Sequence, residues 1–349
     1  MSIKNVRIIG SGLIGTSIGL GLAAKNISVE MVDIDEKAQK LAQDLVGKTE
    51  AATPNLVIFA LPTSALSSVL NSEYELNPTS RFMDIGSVKT KPLLEVSKSE
   101  LPLNRFCPTH PMAGREVGGP ESARGDLFDG RPWIISSNGV DDDVLLVVNE
   151  LISLLGSKAF NLEVGEHDGA VALISHLPQL TSSLLAKQLI GADEKWLELA
   201  GAGLRDTTRI AASDSKLWSE IIAQNSKAIV PLLEKMADDL AELISEIKSQ
   251  VPVNEFIDTG NTGRALIPGK HGGAQRNYVQ LPIVIEDKPG QLGALFNECD
   301  AAQVNVEDLT IEHTPGQFTG LITLSLSESD AQTLEEHLKK SGWNVHSPR

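Results

Sequence analysis

Cysteine is almost absent from this 349-residue chain, basic residues are outnumbered, and no apolar run approaches the length of a membrane span. Cys107 and Cys299 are too few and too far apart in sequence for a disulfide framework, so their default role is as small buried side chains. The 30 Lys and Arg stand against 46 Asp and Glu, a net charge of −16, which argues against nucleic acid and anionic membranes as partners. An acidic ligand would therefore have to meet individually placed arginines. No spacing of His, Cys and carboxylates matches a metal site. Lys4, Arg7 and several glycines interrupt the apolar N-terminus, which reads as strand, turn and helix and not as a signal peptide. An intracellular, cytoplasmic protein of two or three domains is expected.

Val6-Arg7-Ile8-Ile9 reads as a first strand leading into Gly10-Ser11-Gly12-Leu13-Ile14-Gly15, a G-x-G-x-x-G motif in its expected context. Gly10 permits the tight turn, Gly12 lets a pyrophosphate approach the backbone, and Gly15 lets the helix over residues 13–25 pack on the sheet. The N–H groups opening that helix are then available to phosphates. A second strand over 27–32 ends in Asp33, at roughly the twenty-residue spacing where an acid accepts hydrogen bonds from an adenosine ribose. A carboxylate there favours NAD over NADP, whose 2′-phosphate it repels.

Strand and helix patterns alternate through residues 56–60 and 81–85, the rhythm of a parallel sheet covered by helices. Two more apolar segments, 133–136 and 158–162, flank a helix over 141–155, which closes a dinucleotide-binding domain at residues 1–163. Leu61-Pro62-Thr63, Gly86-Ser87-Val88-Lys89 and the loop His110-Pro111-Met112-Ala113-Gly114-Arg115-Glu116 all follow strands. Ligands of such sheets bind beyond the carboxyl ends of the strands, so these segments should gather there. Residues 164–251 carry long helical patterns. One helix, starting near Glu166, is apolar on more than one face, which predicts an all-α domain that also buries surface between two subunits. Residues 252–277, rich in glycine, read as an ordered loop or linker. Residues 278–349 carry the order β-α-β-β-α-β of a ferredoxin-like α+β sandwich, with a turn at Pro315-Gly316.

Five motifs occur in order: Gly10 to Gly15, Asp84 to Lys89, His110 to Glu116, Ser175-His176-Leu177-Pro178 and Asp206-Thr207-Thr208-Arg209-Ile210-Ala211. In this order the chain resembles the prephenate and arogenate dehydrogenases of tyrosine biosynthesis. Asp287-Lys288-Pro289-Gly290-Gln291-Leu292 resembles the opening of an ACT domain, a small module that often binds amino acids. The resemblance implies a Rossmann-like doubly wound sheet, a helical dimerisation domain and NAD-dependent oxidative decarboxylation of a cyclohexadienyl acid.

By the same resemblance His110 accepts or positions the ring hydroxyl proton, which suits an imidazole. Ser87 holds the imidazole or the hydroxyl, and Arg209 binds the ring carboxylate through its guanidinium fork. His176 and Glu116 line the pocket, with Trp218 as an apolar wall. Arg205 stands where many members carry lysine, Gln179 where many carry a second histidine, and Arg115 in place of a smaller residue. Glu116 suits the ammonium of arogenate and Arg115 the second carboxylate of prephenate, so the choice between the two stays open.

Taken singly, these residues have plainer readings. His110 could be a loop histidine, His176 a core histidine, Arg209 a helical partner of Asp206 and Trp218 a core ring. Lys89 reads as a solvated lysine opening a helix. A different Rossmann dehydrogenase of the β-hydroxyacid or imine type, and a non-catalytic sensor, are the rival readings of the whole chain. The joint presence of His110, Ser87 and Arg209 argues for catalysis. The ACT-like module implies feedback by tyrosine or phenylalanine, or else a dimerisation role alone.

Overall fold

Leu56-Val57-Ile58-Phe59 is buried along its whole length, the mark of a strand covered on both faces. A computed structural model describes residues 3–47, 52–99, 101–115, 117–267, 278–313 and 318–348. The chain divides into two units, Met1–Leu240 and Ala241–Arg349.

The first unit opens with β1 (Asn5–Ile9), α1 (Leu13–Ala23), β2 (Ser28–Val32), α2 (Glu36–Val46), β3 (Leu56–Phe59), α3 (Leu66–Leu76), β4 (Arg81–Asp84) and α4 (Thr90–Val96). It continues with β5 (Phe106–Pro111), β6 (Pro132–Ile135), α5 (Asp142–Leu154) and β7 (Lys158–Asn161). The seven strands form one sheet in the order β2-β1-β3-β4-β5-β6-β7. Alternate residues of β3 supply two cores. Leu56 and Ile58 pack with Ile18 and Leu22 of α1 and Val144, Val148 and Leu151 of α5. Val57 and Phe59 pack with Leu66, Leu70 and Tyr74 of α3, and with Phe82 and Phe106. Burying each large apolar side chain contributes roughly 1.5–3 kcal/mol, so this two-sided cover makes the sheet a rigid platform. β1 lies between β2 and β3, so the strand order reverses at its carboxyl end, where ligands of doubly wound sheets bind.

Two sequence expectations need correction here. His110 lies within β5 and not on a loop, because Thr109, His110 and Pro111 pair with Ile135, Ile134 and Trp133 of β6. Pro108 and Pro111 disguise the strand, since a proline cannot donate to a ladder. The sheet is also mixed: β1 to β5 are mutually parallel, whereas β6 runs antiparallel to β5 and parallel to β7. Among the described residues the β5–β6 connection contains only a short 3-10 turn, Pro120–Ser122, and lacks the helical crossover that parallel pairing usually employs.

The helical part of this unit follows with α6 (Val164–Val171), a π turn (Ala172–His176), α7 (Leu177–Lys187), α8 (Glu194–Glu198), α9 (Ala202–Thr208), a 3-10 turn (Arg209–Ala211), α10 (Ser215–Gln224) and α11 (Ser226–Lys248). The single apolar helix expected near Glu166 is thus two helices joined by a widened turn. Pro178 accounts for it: the ring lacks an N–H and would clash with the carbonyl of Ile174, and the wider turn relieves the conflict.

In the second unit, α12 (Asn254–Ala265) occupies part of the stretch expected to be a loop or linker. Then come β8 (Val279–Glu286), α13 (Gln291–Ala301), β9 (Asp308–His313), β10 (Thr319–Leu326), α14 (Glu328–Lys340) and β11 (Asn344–Val345), in a sheet of order β11-β8-β10-β9 with antiparallel neighbours. The expected β-α-β-β-α-β order is therefore present, while Pro315-Gly316 lies outside the described residues. Leu281 and Ile283 of β8 and Ile322 and Leu324 of β10 share one core with Leu295 of α13 and Leu334 and Leu338 of α14. Among the described residues no helix is long and apolar enough to cross a membrane.

Lys89 also departs from the expectation of a solvated side chain. It is 2% exposed and its Nζ pairs with the buried carboxylate of Asp84, which further accepts from the N–H groups of Gly86 and Thr109 at 3.0 and 3.2 Å. This ties the end of β4 to the start of α4. Lys89→Met should leave Asp84 buried without its cation and cost about 3–5 kcal/mol, read as a lowered urea midpoint; an unchanged midpoint would show that the pair contributes nothing net.

Candidate active site

The glycine loop joins β1 to α1. Gly10 has φ +111°, and a Cβ there would sit 2.0 Å from the carbonyl oxygen of Ala60. A Cβ on Gly15 would sit 2.1 Å from the Gly10 oxygen, whereas one on Gly12 would meet nothing within 4 Å. Two glycines are therefore required by packing, and the third leaves an open approach to the backbone. Leu13 is buried and Ile14 packs on the core, so these two residues offer the loop only their main chain. No side chain caps α1 and its first turn holds no acid, which leaves its N–H groups suited to an anion. Asp33 Oδ2 accepts from Ser11 N–H at 2.6 Å and Oδ1 from Asp35 N–H at 2.9 Å. Each oxygen keeps a second lone pair for a ribose hydroxyl. Ser11 Oγ is buried with no hydrogen-bond partner among the described residues. These features fit a dinucleotide.

A second cluster forms where β4 and β5 end. Asp84 pairs with Pro108 across the two strands, which sets the Ser87 turn at the same edge as His110. His110 Nδ1 lies 2.9 Å from His167 Nε2, and His167 Nδ1 lies 2.8 Å from Asp168 Oδ1. His167 and Asp168 are adjacent on α6 and both are buried. The Asp168 carboxylate also accepts from Lys89 N–H at 2.9 Å and Thr90 N–H at 2.8 Å, capping α4 from a different helix. Its main-chain oxygen accepts from Asn225 Nδ2 at 2.8 Å, and the same amide lies 3.1 Å from His176 Nδ1. The His176 ring meets Trp218 edge-on, with centroids 6.0 Å apart.

The electrostatics follow from burial and these bonds. Burial pushes the Asp168 carboxyl up, but hydrogen bonds from His167, Thr90 and Lys89 outweigh it and hold it at about 2. Burial, then His167, Lys89 and His176, keep the His110 imidazole well below its ordinary value, against the opposite pull of Asp168. Burial lowers His176 to about 4. The His110 and His176 imidazoles are therefore neutral near pH 7, one able to accept a proton and the other to donate a hydrogen bond.

The remaining sequence candidates are more dispersed. Arg205 on α9 and Arg209 at the following 3-10 turn are exposed, on elements that pack against α7. Arg115 is exposed and its Nη1 donates to the Ser122 carbonyl at 2.8 Å. Glu116 lies outside the described residues. Sequence reasoning missed His167, Asp168 and Asn225. The adjacent pair His167-Asp168 near the start of an apolar helical segment was the available signal, with His176 further along the same segment.

His110 and His176 sit below the roughly 6.5 of an ordinary imidazole, so unfolding takes up protons and stability is lost as pH falls below that value. Asp168 adds a further loss between about pH 4 and 2, where its unfolded and then its folded form protonates. The urea midpoint should decline continuously as pH falls from about 6.5 to about 4, with a further loss below about 4, and Asp168→Asn should be less stable at neutral pH by about 2–3 kcal/mol. A flat profile would contradict the assignment of neutral buried imidazoles.

Two family models and several known proteins match the chain. Residues 19–161 match the family model for the prephenate dehydrogenase nucleotide-binding domain, and residues 163–258 that for the prephenate dehydrogenase dimerization domain. The probable prephenate dehydrogenase NovF of Streptomyces niveus is 29% identical over 357 residues, covering 97% of this chain and 99% of that protein. The prephenate dehydrogenase of Bacillus subtilis is 26% identical, covering 93% and 92%. The crystal structure of Synechocystis arogenate dehydrogenase superposes with a TM-score of 0.62 at 25% identity, covering 74% of this chain and 98% of that one. The fold is also that of the A. aeolicus prephenate dehydrogenase crystallised with hydroxyphenyl propionate and NAD+, with a TM-score of 0.67 at 23% identity over 76% of this chain and 98% of that one. With both domain models matched, and His110, His167 and His176 inside the matched segments, the chain belongs to the prephenate and arogenate dehydrogenase family of NAD-dependent enzymes.

Proposed function

We propose that the chain catalyses the NAD-dependent oxidative decarboxylation of prephenate to 4-hydroxyphenylpyruvate, or of arogenate to tyrosine, in the cytoplasm. The observation that carries this reading is the neutral His110 at the carboxyl edge of the sheet, beside the Ser87 turn and backed by a buried acid network. The N–H groups of residues 12–15, Gly10 and Ser11 N–H being bonded to Val32 and Asp33, and the Asp33 carboxylate would hold NAD, which when bound supplies the hydride acceptor. His110 takes the proton of the ring hydroxyl, and Ser87 holds that hydroxyl or the imidazole in register. Arg209 clamps the ring carboxylate through two parallel N–H bonds until it leaves as CO₂. His176 donates to the substrate from Nε2–H, Trp218 forms the apolar wall, and Glu116, Arg115 and Arg205 discriminate between the keto acid and the amino acid.

Leu173, Ile174 and Leu184 on the π turn and α7 are 51–61% exposed, an apolar surface suited to pairing two copies of the helical domain as a homodimer. For the second unit the proposal is an ACT-like module that binds tyrosine or phenylalanine at Asp287 to Leu292 and Val304 to Val306; its β-α-β-β-α-β order supports this.

NADH formation followed with prephenate and with arogenate tests the reaction. Activity on one substrate should fall about 10²- to 10⁴-fold in His110→Asn, the usual contribution of a general base. No activity on either, with NAD still bound, would overturn the reading. Calorimetric titration with tyrosine and phenylalanine tests the module, and no heat at millimolar concentration would remove the proposed effector site.

A further inference from the structure

His167 and Asp168 stand behind His110, away from any open surface: they are 0% and 4% exposed. Their hydrogen bonds leave little choice in where protons sit. An ionised carboxylate can only accept, so His167 carries a proton on Nδ1, the nitrogen facing Asp168 Oδ1 at 2.8 Å. With one proton on each ring, His167 Nε2 is then a lone pair, and it accepts from His110 Nδ1–H at 2.9 Å. The proton of His110 is thereby assigned to Nδ1, and Nε2 is left as the basic nitrogen. His176 is set the opposite way. Asn225 Nδ2 is oriented by its bond to the Asp168 carbonyl and donates its other hydrogen to His176 Nδ1, so His176 keeps its proton on Nε2.

We propose that His167 and Asp168 are positioning residues for the reaction, locking His110 in the tautomer whose Nε2 accepts the substrate proton and taking over the positive charge that follows. This rests on the proposed role of His110 as proton acceptor. In the step, the substrate O–H bond breaks as the His110 Nε2–H bond forms. The Nδ1–H proton of His110 passes to His167 Nε2, and the resulting His167 cation faces the Asp168 carboxylate, which stays ionised. The hydride leaves to NAD, as the activity requires, and the relay returns one proton to solvent through His110 after release. Among the described residues, the other charged and titratable groups acting on His110 are His176 and Lys89, and Lys89 is itself paired with Asp84. His110 holds a positive charge poorly where it stands, and passing that charge on puts it on the ring 2.8 Å from the Asp168 carboxylate.

The test is a two-bond ¹H–¹⁵N correlation spectrum of the full-length, ¹⁵N-histidine-labelled protein at neutral pH, beside kcat, KM and pH profiles of wild type and His167→Gln. The expected spectrum shows His110 protonated on Nδ1 and His176 on Nε2. In His167→Gln, His110 should move to its Nε2–H form, and kcat should fall about 10- to 100-fold, the lower range for a general base, while KM for NAD stays within about twofold. The acid limb of kcat should move to lower pH, because the proton taken up then has to rest on His110 itself, where burial disfavours the charge. An Nε2–H tautomer at His110 in active wild type would overturn the relay and leave the reaction standing. So would a folded His167→Gln whose kcat and pH profile match wild type. The correct tautomer in a wild type that turns over neither substrate would instead overturn the functional reading. The wild-type spectrum decides the tautomer even if the variant does not fold.

Discussion

The Asp168 carboxylate is the interaction on which the site depends. It accepts from His167, from Lys89 N–H and from Thr90 N–H, while its main-chain oxygen accepts from Asn225. A buried charge costs several kcal/mol unless hydrogen bonds compensate it, and here three donors from two elements do so. The start of α4, which follows the Ser87 turn, is therefore held to the helix that carries His167. One residue couples the carboxyl edge of the sheet to the helical part of the same unit.

The glycine loop imposes a complementary constraint at the other end of that edge. Gly10 has no room for a side chain against Ala60, nor Gly15 against Gly10, which draws β1, α1 and the end of β3 together. Gly12 faces open space, so the same loop is tight where it must pack and bare where a phosphate would approach. Asp33 is bonded to Ser11 N–H, which fixes the acid relative to the loop.

Three prolines shape the local geometry around the histidines. Pro178 widens the helix immediately before it, and His176 ends that wider turn, facing Asn225 and Trp218. Pro108 and Pro111 lie in β5 on either side of His110, so the strand runs through one proline and ends on the other.

The local patterns were enough to locate the glycine turn, the acid at the end of β2, the strands that follow it and the β-α-β-β-α-β order of residues 278–349, because each depends on neighbours within a few residues, whereas His110 and His176 were singled out by their motifs. Other features depended on contacts between distant segments. The antiparallel β6 and the chain from His110 through His167 to Asp168 join residues far apart in sequence, and the burial of Lys89 depends on the packing that closes over its pair with Asp84. A single sequence carries the identity of such groups but not their distances. Folding alone decided that a lysine expected in solvent is buried, and that a histidine and an aspartate with no assigned role stand behind His110, since only tertiary packing removes water and sets which polar groups must satisfy one another.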